Sequence, residues 1–400
     1  MKMFFKKREE NVKKGLITRV GHSENKDAFA CGTEAAGKAD LCCASLGLIF
    51  TSCVLDQKEV LKGVRSVSNV PVIGCTSSAA ICTHEGYFNS ADGYTGIMSF
   101  GGEVTVGVAG HAKDKDAREM GRELAKEAMK KAGKTCAPSY FFMTASPAEE
   151  EHYLKGIEDV IGRVPMFGGS AADNTVEGKW SIICNDEIFS DGCAVAFFYT
   201  DSYMKNLYTG EYTETGKAGV ITEVKGDRTL VSIDGVPAVK KYCEWTGKTE
   251  EEVAGGNLLA ATIFAPLGVK DPIGSVTAIR HPMAANDDLS MNIGAKLSVG
   301  TAVMLMEGTA NSVVEANPNA IKKLDSLMEE EAQSYFLVHC GGRRLGLQLE
   351  GAEDKLYPAV KKYTKDKPFL MVFTFGEYGS SDHSANTVGG LSLSYTGFGK

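Results

Sequence analysis

What this 400-residue chain lacks narrows its chemistry before any motif is read. No apolar run reaches the 18 or more residues of a membrane helix, and the best candidates, LCCASLGLIF and CAVAFFY, read as strands. The net charge is −8 and the pI near 5.5, so no excess of positive charge is available to displace counterions from nucleic acid. There is no CxxC, the 11 cysteines are odd in number, and Cys42 and Cys43 are adjacent, so neither a disulfide framework nor a zinc ribbon is indicated. Reduced thiols acting as small buried hydrophobes in a cytoplasmic protein are expected instead. The pairs Cys82/His84 and His339/Cys340 lack the second pair of a closed metal site, and there is no CxxCH for covalent haem. GKT occurs twice, at Gly133 and Gly247, but the upstream glycine of a phosphate loop falls on Ala128 or Tyr242. Residues 1–15 form a basic arm whose only apolar cluster, Met3-Phe4-Phe5, is far short of a signal-peptide core.

What is present is a repeat. GLIFTS, DQKEVLKGVRSV and NVPVIGCTSSA are followed by SYFFMTA, SPAEEEHYLKGIEDV and GRVPMFGGSAADN, each reading strand, helix, strand, glycine turn. Asp56 with Glu59, and Ser146 with Glu149 ahead of a first-turn Pro147, predict capping boxes for the two helices. Val60, Leu61, Val64 and Val67, and Tyr153, Leu154, Ile157, Val160 and Ile161, give each an apolar stripe that must lie on a sheet. From Trp180 onward strands follow one another with glycine turns between them, the pattern of antiparallel pairing. Later, Asn317-Pro318 predicts the opening of another helix. The expected architecture is α/β in two modules. The N-terminal module, 16–225, carries duplicated strand-helix-strand units on mixed sheets; the C-terminal module, 226–400, is α+β with antiparallel strands.

In open α/β sheets, turns at the carboxyl ends of strands are where ligands sit. Gly74-Cys75-Thr76-Ser77 and Gly168-Gly169-Ser170 are therefore the first candidates, with backbone N–H groups and hydroxyls able to hold an anion. Asp173 and Asn174 can accept from an ammonium or close an Asx turn. Glu377, at a third strand end of the same kind, can pair with a cation, and Arg280 can clamp a carboxylate. His383, Asn386 and Thr387 make a compact polar cluster that either faces a ligand or caps its own loop. Cys75 is the candidate nucleophile should the protein be an enzyme of the acyl-transfer type, although no hydrolase signature surrounds it and a binding role is favoured.

With those turns in hand, the sequence resembles the FIST (F-box and intracellular signal transduction) family. VPVIGCTSSA and VPMFGGSAADN suggest its N-terminal module; LVSIDGVPAVKKY, CGGRR after SYFLVH, and FTFGEYG followed by His383, Asn386 and Thr387 suggest its C-terminal one. The resemblance implies a sensory protein that binds a small ligand such as an amino acid. Some members bind haem and respond to nitric oxide, for which His84, His383 or a cysteine would supply the axial ligand; otherwise no cofactor is expected. Family members are often fused to a signalling output, and no kinase, cyclase or receptor segment fits here, so a separate signalling partner is implied. The polar run is also shorter than the His-Asn-Gln-Thr type associated with the family.

Overall fold

A computed structural model describes residues 15–270, 277–380 and 385–399. The basic arm up to residue 14 and His383 lie outside the described residues. The architecture is mixed α/β with four sheets.

One succession of elements occurs three times. The first unit comprises β1 (Leu16–Ser23), α1 (Ala28–Lys38), β2 (Leu46–Ser52), α2 (Gln57–Val67), β3 (Val72–Ser77), a hairpin of β4 (Ile81–Thr83) and β5 (Gly86–Phe88), and β6 (Thr95–Gly102). The second follows with β7 (Thr105–Ala112), α3 (Ala117–Lys131), β8 (Tyr140–Ala145), α4 (Glu150–Ile161), β9 (Met166–Ser170), a hairpin of β10 (Ile182–Cys184) and β11 (Glu187–Phe189), and β12 (Gly192–Tyr199). The third starts with β13 (Met204–Thr209) and is then interrupted. The insertion holds β14 (Thr213–Lys225), β15 (Thr229–Ile233), β16 (Val236–Pro237), α5 (Ala238–Thr246), α6 (Asn257–Ala261), β17 (Leu267–Lys270), β18 (Thr277–Arg280), β19 (Pro282–Ala285), β20 (Met291–Ile293) and β21 (Ala302–Glu307). The unit resumes with α7 (Ala310–Leu327), β22 (Ser334–Cys340), α8 (Gly341–Leu349), α9 (Leu356–Thr364), β23 (Phe369–Thr374), a hairpin of β24 (Glu377–Gly379) and β25 (Thr387–Gly389), and β26 (Leu393–Phe398).

The sheets show why the three units belong to one body. Their orders are β1-β6-β2-β3-β10-β11, β7-β12-β8-β9-β24-β25 and β13-β26-β22-β23-β4-β5. Each sheet thus ends on a hairpin from another unit, and the exchange is cyclic. Equivalent backbone bonds recur in all three: Gly47 N to Pro71 O, Phe141 N to Pro165 O and Tyr335 N to Pro368 O, at 2.9, 3.1 and 3.0 Å. The pairs β2/β3, β8/β9 and β22/β23 are parallel, so their carboxyl ends point the same way within each sheet. The insertion forms its own antiparallel sheet, and Gly226 falls in the turn of its β14–β15 hairpin. The chain therefore passes residue 226 inside one sheet, not between two bodies.

Helices cover the outer face of each sheet, and the inner faces meet in a shared core. There Phe50, Phe142 and Phe336, one from each sheet, stand at centroid distances of 5.4–6.3 Å. Phe100 meets Phe198 and Phe398 in the same way at 5.4 and 5.1 Å.

Three helix starts differ from expectation. At α2 only the Asp56 half of the expected box forms, accepting from Lys58 N and Glu59 N, while the Glu59 carboxylate instead takes Lys62. In the second unit Ser146 Oγ instead donates to Asp191 at 2.6 Å, so α4 begins later, at Glu150, with no side-chain cap. The helix expected to open at Asn317-Pro318 starts at Ala310, where Thr309 and Ser312 make a reciprocal box. Pro318 sits inside α7 without kinking it loose, because the Asn317 amide donates to Val314 O, the carbonyl that proline's missing N–H leaves open, and to Val313 O.

Candidate functional site

The carboxyl ends of β3, β9 and β23 come together. Ala172 N donates to Thr76 O at 3.0 Å, Ser78 N to Phe373 O at 2.8 Å, and Ser170 N to Gly376 O at 2.8 Å. Asn174 Oδ1 accepts from Ala79 N at 2.8 Å, tying the second strand end to the bend after the first. Over this junction lies a cleft of about 240 Å³. The three-unit body supplies Ser78, Asn174, Trp180, Phe375 and the first turn of α8; the insertion closes it with Arg228, Leu259, His281, Met283 and Gly294.

Its walls are mainly apolar, and its charges are arranged. Arg228 reaches from the insertion to the start of α4, where it donates to Glu150 at 2.6 Å and also to Glu151. Burial opposes its charge, but the two carboxylates prevail and hold its pKa above the ordinary value. Burial likewise raises Glu150, which is 2% exposed, with Arg228 pulling the other way. Arg344 donates to Glu353 at 2.5 Å. Each arginine keeps a buried Nε–H with no partner among the described residues. Both line the cleft.

The α8 start adds the helix's positive end. Gly341 and Gly342 line the cleft, and no side chain caps this terminus. Cys340 Sγ, at the N-cap position, accepts from Leu391 N at 3.2 Å. His281 Nε2 lies 3.1 Å from Leu259 O, and burial lowers its pKa to about 4, so the ring is neutral at physiological pH.

The FIST N domain matches residues 45–236 and the FIST C domain residues 238–380. The chain belongs to the FIST family. FIST domains are small-molecule sensory modules. No curated protein matches this FIST chain. Among solved structures it is similar to PurLQS from Thermotoga maritima, at 8% identity over 96% of this chain and 72% of that one, with a TM-score of 0.23. It is also similar to T. maritima PurL complexed with AMPPCP, at 9% identity with the same coverages and a TM-score of 0.22. Scores this low carry no argument.

Against this FIST cleft the sequence-derived candidates divide. Asn174 lies on it. Gly74 and Gly168 belong to strands β3 and β9, not to turns. Their missing Cβ is needed by the neighbouring strand, since a Cβ would come 1.7 Å from Ile49 O and 1.9 Å from Met143 O respectively. Gly169 abuts Gly376 O in the same manner. Thr76 exchanges bonds with Ser181, and Ser77 Oγ bridges Ala80 O and Phe373 N. These hydroxyls knit the strand ends together beneath the cleft. Ser170 Oγ donates to Glu150 and also contacts Tyr378 OH, 2.6 Å away, which places it one layer behind.

Asp173 does not face an ammonium. Its carboxylate accepts from the backbone of Thr175, Val176, Glu177 and Lys179, so the loop consumes its capacity. Arg280 donates to Lys296 O and Ile279 O, outside the cleft. Asn386 donates to Glu158 and Val164 O, beside α4, and Thr387 to Ala385 O. Cys75 is fully buried in the central core, and burial pushes its thiol up to about 12, opposite to what a nucleophile requires. His84 is not among the cleft residues, and burial lowers its pKa.

Glu377 is buried on β24, accepting from Ser392 N at 2.9 Å and lying 3.2 Å from Thr374 Oγ1. Burial raises its pKa from 4.5 to about 8. The unfolded chain releases this proton near pH 4.5 while the folded chain keeps it to about 8, so the stability it contributes is full below pH 4.5 and is lost as pH rises to 8. Glu377→Gln, which mimics the neutral carboxyl, is expected to remove that loss. Urea unfolding should show the wild type falling behind the variant by on the order of 3 kcal/mol between pH 5 and 8. Parallel stabilities across that range would contradict the assignment.

The residues that reasoning from sequence missed are Arg228, Arg344, Trp180 and the glycines of α8. CGGRR did carry a signal: a strand, two glycines, then a helix is the arrangement that presents a helix N-terminus to an anion. Arg228 carried none, because nothing near it in sequence points to α4.

Proposed function

We propose that the protein is a small-molecule sensor whose cleft binds an organic anion with an apolar body, an amino acid with an apolar side chain or a related carboxylate. The supporting observation is the junction of three strand ends under one cleft that combines apolar walls with two arginines and an uncapped helix start. In this reading the carboxylate lies at Gly341 and Gly342, within reach of Arg344, and the apolar body packs on Trp180 and Phe375, which meet edge to face at 6.0 Å. Of the acidic residues, Glu150 lines the cleft, where it is paired with Arg228 and would share that pairing with an amino group.

The two walls come from different parts of the fold, so a ligand touching both has different affinity for open and closed arrangements, which is the requirement for signalling. A separate partner would read the difference. The test is a thermal-shift screen of amino acids and aromatic or branched carboxylates. A ligand at a hundred times its dissociation constant should stabilise by about 2.7 kcal/mol. Trp180→Ala should weaken the hit about tenfold or more, and a panel without any hit contradicts the reading.

A further inference from the structure

A second cluster stands at the opposite end of β2 from the cleft. The short 3-10 turn Leu41–Cys43 precedes that strand, anchored by Leu41, which is fully buried in the core under α1 and α2. Asp40 precedes the turn in a left-handed conformation (φ 49°), which sets its carboxylate beside the Cys42 thiol, with Cys43 next to it. The three ligand atoms lie within 4.8 Å of one another. Cys42 Sγ is 3.7 Å from Cys43 Sγ and 3.5 Å from Asp40 Oδ1.

The two Cys42 separations match edges of a coordination polyhedron. A tetrahedral ion with bonds of about 2.3 Å to sulfur and about 2.0 Å to oxygen needs edges of about 3.8 Å between sulfurs and about 3.5 Å between sulfur and oxygen. The carboxylate is also aimed, because Arg19 Nε holds its other oxygen, Oδ2, at 3.0 Å and leaves Oδ1 toward the thiols. Supporting contacts of this kind orient metal ligands. Two thiolates, one carboxylate and a divalent ion sum to −1, which Arg19 neutralises.

We propose that Asp40, Cys42 and Cys43 form a surface site for a borderline-soft divalent cation of the Zn²⁺ class, with the fourth position open. Two sulfurs select such ions over Mg²⁺ or Ca²⁺, which take oxygen sets. Each thiol loses its proton to solvent on binding, so two protons leave per ion and affinity rises with pH. The site is independent of the cleft and of its ligand.

The experiment is a Co²⁺ titration of the full chain, kept reduced by a phosphine, followed by back-titration with Zn²⁺. A single-site thiolate-to-cobalt charge-transfer band that Zn²⁺ removes is expected, with release of two protons per Zn²⁺ measured in weak buffer. Cys42→Ser and Cys43→Ser should each abolish the band, Asp40→Asn should weaken binding about tenfold or more, and Cys136→Ser, at another exposed thiol, should change nothing. The site is overturned by a wild type without the band, by a band that survives Cys43→Ser, or by an Asp40→Asn variant that binds as the wild type does.

Discussion

Phe336→Ala is expected to destabilise the protein by about 3–5 kcal/mol, the range for truncating a large aromatic in a packed core. Phe336 is fully buried on β22 and touches Phe50 of the first sheet and both Phe142 and Phe167 of the second, at 5.4, 6.1 and 5.9 Å. The void would open where three separately hydrogen-bonded sheets meet, and none can move inward without breaking the hairpins it exchanges with the others. Collapse is thereby restricted, which places the expected loss high in the range. Phe29→Ala, at a site 43% exposed, should change stability by less than about 0.5 kcal/mol. Urea unfolding of the two variants decides it, and equal midpoints would mean that the sheets do not share a core.

Arg228→Ala has the second large expected effect. Removing the guanidinium leaves Glu150, 2% exposed, without its cation, and breaking a buried pair in this way costs about 3–5 kcal/mol. The loss is pH-dependent with a definite sign. Without Arg228 the Glu150 pKa rises further, so the variant is penalised most at high pH and approaches the wild type as acid neutralises the carboxyl. Adding Glu150→Gln should recover much of the stability at pH 8, because the uncompensated charge is then gone. Ligand binding should stay lost in the double variant, since the insertion no longer holds its place over the cleft. A single variant as stable as the wild type at pH 8 would show that Arg228 is not the link between insertion and body.

Much of this fold was legible in sequence because its signals are local. The stripes of α2 and α4 and the cap at Asp56 depend on residues a few positions apart. The expected serial antiparallel pairing after Trp180 occurs at β10–β11 and β14–β15 but not among β12, β13 and β14, which go to three different sheets. The third unit was hidden for a physical reason: about a hundred residues of insertion separate β13 from α7, so β22, β23 and their helices do not follow their own first strand. Hairpin exchange was equally invisible, because β4–β5 reads the same whichever sheet receives it. At the site, the glycines expected to form turns lie within β3 and β9, near the strand ends that meet under the cleft. What sequence could not tell was which atoms were already spoken for. Gly74 and Gly168 serve their neighbouring strands, Asp173 serves four amides of its own loop, and Glu377 is sealed behind Thr374 and Ser392. The groups left over to meet a ligand come from two places far apart in the chain, Arg228 in the insertion and Arg344 with the amides of α8.

The most direct measurement uses the two tryptophans. Trp245 lies on α5 in the insertion core, whereas Trp180 lines the cleft. In a Trp245→Phe variant, titration with the carboxylate that gives the largest thermal shift is predicted to change Trp180 emission saturably, with the same dissociation constant as calorimetry. A ligand that stabilises the protein while leaving Trp180 emission flat would bind elsewhere and contradict the cleft as the site of recognition.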